Sequence, residues 1–459
     1  MTRRVVVVGA DAAGMSAASQ AKRLAGDGLE VIALDRGRHT SYSACGIPYW
    51  VGGDVASVER LVARTPAEHR ANGIDLRLRH EAVSLDLDRG EVEVRDHETG
   101  STYRLGYDEL VLATGARPRR PDVPGIDAAG VLGVQTLDDG EALLDELGRL
   151  DGGSPRAVVV GGGYIGIEMA EAMVNRGLDV TVVTRSAQPM ATLDPDMGLL
   201  VHEAMEAMGI DVATDVTLRG IETDGSGRAT AVATDQGTYP ADLVVLGTGA
   251  GPETALAAAA GLPLGRWGGL VTDLRMRVFD TPGVWAAGDC VESIDRVSGN
   301  RVHVALGTHA NKQGRVLGTN LGGGYATFPG VVGTAVSKVC DLEIARTGLR
   351  EADCAAVGFA WLAVTVGSTT RAGYYPGAAP VTVKLLAERR TGRLLGGQVV
   401  GREGSAKRVD ALAVALWNRM TVEEVAALDL GYAPPFSPVW DPVLIAARKA
   451  ADAVRADTS

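Results

Sequence analysis

The sequence predicts an α/β chain of two βαβ glycine-turn units, the second inserted into the first, followed by a smaller α+β unit. Three features predict it. The chain opens with an apolar strand that runs into a glycine turn and an Ala-rich helix, "RVVVVGADAAGMSAASQAKRLAGDGLEVIALDRG". A second such unit, "RAVVVGGGYIGIEMAEAMVNRGLDVTVVTRS", begins at Arg156. Apolar strands closing on Thr-Gly or Gly-Asp pairs recur around it: "LVLATGARP" (110–118), "LVVLGTGAGP" (243–252) and "GVWAAGDC" (283–290). A fold that starts, is interrupted and then resumes leaves such crossing points.

A chain of 459 residues is too long for one core. Its net charge of −12 excludes nucleic acid as the main partner, because phosphate repels an acidic surface. Cys45, Cys290, Cys340 and Cys354 form neither a C-x-x-C pair nor a disulfide framework, which fits a reducing cytoplasm. The apolar run after "MTRR" is about four residues long, too short for a signal sequence, and reads as a buried parallel strand. No stretch nears the roughly 18 apolar residues of a membrane span. A cytoplasmic location is expected, with no membrane partner and no metal site.

In the first unit, Gly9 and Gly14 bracket the turn. Glycines there let backbone approach a pyrophosphate, which sits against the helix start. An acidic residue about 20 positions on takes ribose hydroxyls, and Asp35, followed by Arg36, stands there. One departure is Asp11, where the G-x-G-x-x-G pattern has its middle glycine. The second unit carries the full pattern at Gly161, Gly163 and Gly166, with Tyr164 and Ile165 between. Its second strand ends in Thr184-Arg185, without a carboxylate. An arginine in place of the carboxylate suits a 2′-phosphate, so NADPH is expected ahead of NADH, which stays possible. Farther on, "VTVKLLAERRTGRLLGGQVVG" reads as an antiparallel hairpin and "SAKRVDALAVALWNRM" as a helix.

Together these motifs resemble the pyridine nucleotide–disulfide oxidoreductases, over essentially the whole chain. The resemblance implies two Rossmann-like dinucleotide-binding domains, the second inserted in the first, and a C-terminal α+β dimerisation domain. The FAD domain is expected at 1–115 and 244–325, the NAD(P)H domain at 116–243 and the interface domain at 326–459. FAD contacts are implied at Gly9, Gly14, Asp35, Arg36, Val83, Thr114, Gly115, Gly288, Asp289 and Thr308, with Asp289 on the ribityl chain. NADPH contacts are implied at Gly161, Gly163, Tyr164, Ile165, Gly166, Glu168, Thr184, Arg185 and Gly247. Tyr164 would gate the nicotinamide site and Glu168 would stand near it.

The segment "SYSACGIPYWVGG" carries the redox expectation. Two-cysteine members of the family use C-x-x-x-x-C, but Trp50 stands five residues after Cys45, so an internal dithiol is excluded. A lone cysteine is usually a small buried hydrophobe; the resemblance instead implies a redox sulfur. Its reactive form is the thiolate, and backbone N–H groups, a helix start or the flavin can lower the pKa from about 8.5. Such a sulfur stores oxidising equivalents as a mixed disulfide or a sulfenic acid. Peroxidases and oxidases of the single-cysteine branch place a histidine in the first glycine turn, where Ala12 stands here. The likeness is accordingly closest to the CoA-disulfide reductases.

That likeness extends to "RAGYYPGAAP" and "LGYAPPFSPVWDP". It implies that Tyr374 and Tyr432 serve the partner subunit's active site in a homodimer with shared sites. A phenol of pKa about 10 can donate a proton to a leaving thiolate; packing at an interface is the plainer role. Gln20, Arg23 and Ser41 match positions near the CoA moiety, whereas two lysines expected farther out are Gly73 and Trp440. The expected substrate is therefore a low-molecular-weight disulfide, CoA-disulfide-like, or a persulfide, with no rhodanese-like domain after residue 459. An NAD(P)H oxidase using O₂ and a redox-sensing flavoprotein are the alternatives.

Overall fold

The computed structural model describes residues 2–150 and 153–458. Strand Arg3–Val8 sits at the centre of a five-stranded parallel sheet in the order Val284–Ala286, Glu109–Leu112, Arg3–Val8, Leu29–Asp35, Ile74–Leu78. The valine run of residues 5–8 is no more than 7% exposed, as a strand covered on both faces requires. Helix Ala12–Ala25 follows the glycine turn and packs on helix Gly307–Leu321. A Cβ at Gly314 or Gly318 would lie 2.3 Å from the carbonyl of Ala13 or Ala17. The two helices can meet at this distance only because the contact is built from alanine and glycine.

A second parallel sheet repeats the plan: Asp211–Ala213, Asp179–Val183, Arg156–Val160, Leu243–Leu246, Val131–Gly133. Strand Leu243–Leu246 lies wholly within it, so the break expected between residues 243 and 244 falls inside a strand. The chain returns to the first unit slightly later, through the antiparallel pair Ala116–Pro118 and Ala250–Pro252. Each unit also carries a three-stranded antiparallel sheet, at His80–Gly106 and Leu218–Pro240. In both glycine turns the helix approaches the strand end as the motif demands. A Cβ at Gly14 would lie 1.9 Å from the Gly9 carbonyl, and one at Gly166 would lie 1.8 Å from that of Gly161.

The C-terminal unit is a five-stranded antiparallel sheet ordered Ala335–Val339, Leu342–Gly348, Leu394–Gly401, Pro380–Glu388, Trp361–Thr369. The expected hairpin is its Pro380–Glu388/Leu394–Gly401 pair, and the expected helix is Val409–Trp417. A buried ionic network joins this unit to the inserted one. The Lys384 ammonium, 4% exposed, contacts Asp194, Asp196 and Glu351, while the Gln398 side-chain amide accepts the Asp194 backbone N–H and donates to the Asp194 carboxylate. Among the described residues, no helix is long and apolar enough to cross a membrane.

Candidate active site

The carboxyl ends of both parallel sheets open onto one cavity of about 2010 Å³, where open α/β folds place their ligands. All three units contribute to its wall. Cys45 lies in a short 3₁₀ turn, Ala44–Gly46, that leads into helix Ile47–Gly52. That helix is wedged between Leu137–Leu147 and Tyr164–Asn175, with Trp50 packed against Gly140. Cys45 is thus held by well-buried neighbours while its own side chain is exposed to the cavity. All four cysteines are unpaired.

Around Cys45 the cavity is lined by Gly9, Thr114, Gly115, Gly288, Asp289, Gly163, Tyr164, Ile165, Glu168 and Gly247, with Asp35, Arg36 and Val83 farther along. Most of the expected cofactor residues therefore face one space. Gly14, Gly161, Gly166, Thr184, Arg185 and Thr308 are not part of its lining. The three glycines stand behind the turns and permit their close packing. The Thr184 hydroxyl is buried and turned to Ser186, 3.0 Å away, whereas Arg185 is exposed at the strand end.

The electrostatics of the wall are acidic. Burial pushes the Cys45 thiol above its ordinary pKa, and the carboxylates of Glu168 and Asp289 push it further; its own backbone N–H opposes them weakly. The short helix start thus does not produce a lowered thiol pKa in the protein alone. Asp289 is raised by burial against the pull of His303. Glu168 is raised by burial and accepts a 2.7 Å hydrogen bond from Ser337 of the interface domain. Asp35 accepts N–H bonds from Ala10 (2.8 Å) and Gly37 (2.7 Å), which fix its carboxylate at the mouth of the first glycine turn.

These residues fit a flavin dinucleotide. Gly9, at φ +100°, would place a Cβ 2.1 Å from the Ala113 carbonyl, so the loop stays bare of side chain where a pyrophosphate would approach. The Asp35 carboxylate, beside that loop, could accept from ribose hydroxyls, and Asp289 offers a second, largely desolvated carboxylate to the same cavity.

Tyr374 and Tyr432 do not line the cavity of the single chain. They stand together on its surface, 78% and 48% exposed, and Phe436, Val439 and Trp440 of the second segment are exposed as well. Desolvation and a hydrogen bond with Tyr374 raise the Tyr432 pKa. The Arg408–Asp441 ion pair (2.9 Å) holds the two segments together, aided by Arg408 bonds to the carbonyls of Thr370 and Phe436 and by the 3.1 Å Ala372–Pro434 backbone bond. Of the expected substrate residues, Gln20 bonds Thr319 (3.1 Å) and Arg23 (3.0 Å), while Ser41, at φ +48°, bonds His69 (2.9 Å). None of the three lines the cavity. The two positions lacking the expected lysines each have a cation nearby. The Lys22 ammonium lies 3.5 Å from where a Cβ at Gly73 would sit, and Arg448 stacks over Trp440 at 4.8 Å.

Two features were not anticipated from the sequence. Asp11 is a tie: its carboxylate accepts the Tyr42 N–H at 3.2 Å and so links the first glycine turn to the cysteine segment. Its pKa is pushed up to about 6, chiefly by burial, with Asp35 and Asp289 adding to the effect. The replaced glycine was the only sign of it. The interface-domain wall, with Ala335, Val336, Arg346 and Gly348, arises from tertiary closure and has no local motif.

The profile of the pyridine nucleotide-disulphide oxidoreductases matches residues 3–314, and that of their dimerisation domain matches residues 334–442. The chain is 35% identical over 452 residues to an NADH oxidase of Methanocaldococcus jannaschii, covering 97% of this chain and 98% of that protein. It is 36% identical over 450 residues to the NAD(P)H coenzyme A polysulfide/persulfide reductase of Pyrococcus horikoshii, covering 98% of each. The crystal structure of reduced CoADR-RHD from Bacillus anthracis superposes with a TM-score of 0.95 at 32% identity, covering 99% of this chain and 81% of that one. With the motifs, the two-sheet cavity and these matches in agreement, the chain belongs to the pyridine nucleotide-disulphide oxidoreductase family.

Proposed function

We propose that the protein is an NADPH-dependent flavoprotein that reduces a low-molecular-weight disulfide or persulfide of the CoA type, with Cys45 as its single redox sulfur. The observation that carries this reading is an exposed, unpaired Cys45 in the wall of a cavity shared with Asp289, Tyr164 and Glu168. The Pyrococcus relative named for polysulfide and persulfide reduction supports it. Lys22 and Arg448 supply cations beside the two altered positions, which keeps a phosphorylated thiol such as CoA within the substrate class. Four free cysteines suit a reducing cytoplasm.

Bound FAD would supply the two-electron relay between NADPH and sulfur; Asp35 and Asp289 would hold its ribose and ribityl hydroxyls. Cys45 thiolate attacks one sulfur of RSSR, forming Cys45–S–S–R and releasing RS⁻. The mixed disulfide then takes up two electrons and one proton, giving Cys45 thiolate and RSH. Tyr432 of the opposing subunit in a homodimer donates that proton, with Tyr374 hydrogen-bonded to it. Tyr164 covers the nicotinamide position until the dinucleotide enters. Glu168, held by Ser337, supplies a neighbouring carboxyl whose charge discourages premature ionisation of Cys45.

NADPH oxidation with a panel of small disulfides, combined with intact mass of the unreduced chain, tests the proposal. A Cys45 adduct that dithiothreitol removes, and two thiols formed per NADPH, are expected. An unmodified Cys45 in protein that still reduces disulfides would sink it. The Methanocaldococcus relative, named as an NADH oxidase, motivates a second reading. NADPH oxidation accounted for by oxygen uptake, one O₂ per NADPH with peroxide as product or one per two NADPH with water as product, would establish that one.

A further inference from the structure

Helix Ile47–Gly52 turns two faces to different surroundings. Ile47, Trp50 and Val51, at i, i+3 and i+4, are buried in the core of the inserted unit. The contact is fixed at several points. Trp50 lies against Gly140, a Cβ at Gly52 would lie 3.2 Å from Ala172, and the Arg176 guanidinium donates to the Val51 carbonyl at 2.5 Å. Cys45 and Tyr49, four residues apart, fall on the opposite side, and both line the cavity with Glu168. The Tyr49 phenol is half-buried, and among the described residues its hydroxyl makes no hydrogen bond. Burial, then Glu168, Glu171, the Cys45 sulfur and Asp54, push its pKa up to about 12, so it stays protonated. The side chains that bear on Cys45 are acidic as well, Glu168 from helix Tyr164–Asn175 and Asp289 beyond strand Val284–Ala286. Apart from its own backbone N–H, nothing among them favours a thiolate.

We propose that Tyr49 is the hydrogen-bond donor that holds the Cys45 sulfur as a thiolate within its own subunit. The inference rests on the reading that Cys45 is the redox sulfur. Side chains four apart on a helix have Cβ atoms about 5–6 Å apart, a gap that a phenol spans. An O–H bond to an anionic sulfur is charge-assisted and favours the ionised form. A donor that keeps its own proton supplies this bond without becoming a second anion beside Glu168. The Cys45 proton passes to solvent, and the thiolate attacks one sulfur of RSSR, giving Cys45–S–S–R and RS⁻. The two phenols then serve different half-reactions: Tyr49 prepares the attack, and the partner subunit's Tyr432 protonates the thiol released on reduction.

Alkylation of Cys45 by iodoacetamide tests this in the oxidised holoenzyme, after dithiothreitol has removed any bound thiol and has itself been removed. Peptide mass reads Cys45 separately from Cys340. Tyr49→Phe deletes only the hydroxyl. It should shift the pH profile of alkylation upward and slow the rate at about pH 7 by roughly 5- to 30-fold, the worth of a hydrogen bond to a charged group that water partly replaces. The limiting rate at high pH and the flavin content should stay within about twofold. Tyr49→Gln, which restores a neutral donor, should recover part of the loss, and it carries the test if Tyr49→Phe does not hold its flavin. Mixed dimers of Cys45→Ser with Tyr49→Phe should be no more active on disulfides than Tyr49→Phe alone. An unchanged alkylation profile would overturn the proposal. So would rescue in the mixed dimers, which would put Tyr49 in the partner's site, or equal slowing at every pH, which would make the phenol a packing group. A wild-type Cys45 that carries no adduct and is dispensable for turnover would instead remove the redox-sulfur reading.

Discussion

Replacing Asp11 by asparagine should change how stability depends on pH, and by a calculable amount. The Asp11 carboxyl titrates at about 6 in the folded protein against 3.8 for an ordinary aspartate, because burial and the charges of Asp35 and Asp289 disfavour its ionised form. A raised folded pKa means that the native state holds this proton more tightly than the unfolded chain does. The resulting stability is fully present below about pH 3.8 and is lost as the pH rises through about 6. The full span is about 3 kcal/mol, of which about 1.4 kcal/mol is lost between pH 5 and pH 8. Asparagine does not titrate, yet its carbonyl oxygen can still accept the Tyr42 N–H. Urea unfolding of the flavin-free proteins at pH 5 and pH 8 reads the effect as a difference between variant and wild type, in which other titrating groups cancel. The variant should gain about 1.4 kcal/mol on the wild type from the lower to the higher pH. FAD affinity should follow the same sense, with the variant binding more tightly at pH 8, since an ionised Asp11 would face the pyrophosphate. A difference between the two proteins that does not change with pH would show that Asp11 ionises normally and that its burial has no electrostatic consequence.

Cys45→Ser should retain FAD and its reduction by NADPH while losing disulfide turnover; retention of more than about a tenth of the rate, under 1.4 kcal/mol of barrier, would make Cys45 structural. Arg185→Ala should raise the KM for NADPH roughly 10- to 150-fold through loss of one charge-assisted contact and leave that for NADH nearly unchanged; equal effects would remove its phosphate-reading role. Glu168→Gln deletes a charge that raises the Cys45 pKa, so alkylation of Cys45 at about pH 8 should accelerate in the flavin-free protein; an unchanged rate would separate the two groups. Tyr432→Phe should slow thiol release by 10²- to 10⁴-fold, the usual worth of a proton donor, without weakening FAD binding. Mixed dimers of Cys45→Ser with Tyr374→Phe/Tyr432→Phe should regain activity in one of two sites, and no recovery in a verified heterodimer would place the tyrosines outside the partner's chemistry.

The parallel sheets were legible because their strands are unbroken apolar runs that end in glycine turns, as at residues 5–9 and 157–161. Asp35 and Asp289 could be found for the same reason: each ends or closely follows a strand, so sequence position fixes placement in the cavity. Cys45 was legible from its motif, but its raised pKa was not, since Glu168 and Asp289 reach it only through tertiary closure. The domain break at residue 243 missed because "LVVL" continues the second sheet, and its pairing with Arg156–Val160 leaves no local mark. Ser337 and Arg346 were invisible for a related reason. They belong to antiparallel strands whose sequence patterns specify packing, not what packs against them.

The outer strand of the first sheet, Val284–Ala286, pairs with Glu109–Leu112 from across the whole inserted unit. On the ribosome this imposes an order of events. Domains form as units while the chain emerges at about 5–20 residues per second, so roughly 10 to 30 s separate the two strands. During that interval Glu109–Leu112 offers an unpaired edge, whereas the insert, contiguous between its two crossing strands, can complete its own sheet first. Asp289 arrives with the late strand, so the nascent chain cannot present a finished flavin cradle until the dinucleotide unit behind it is already made.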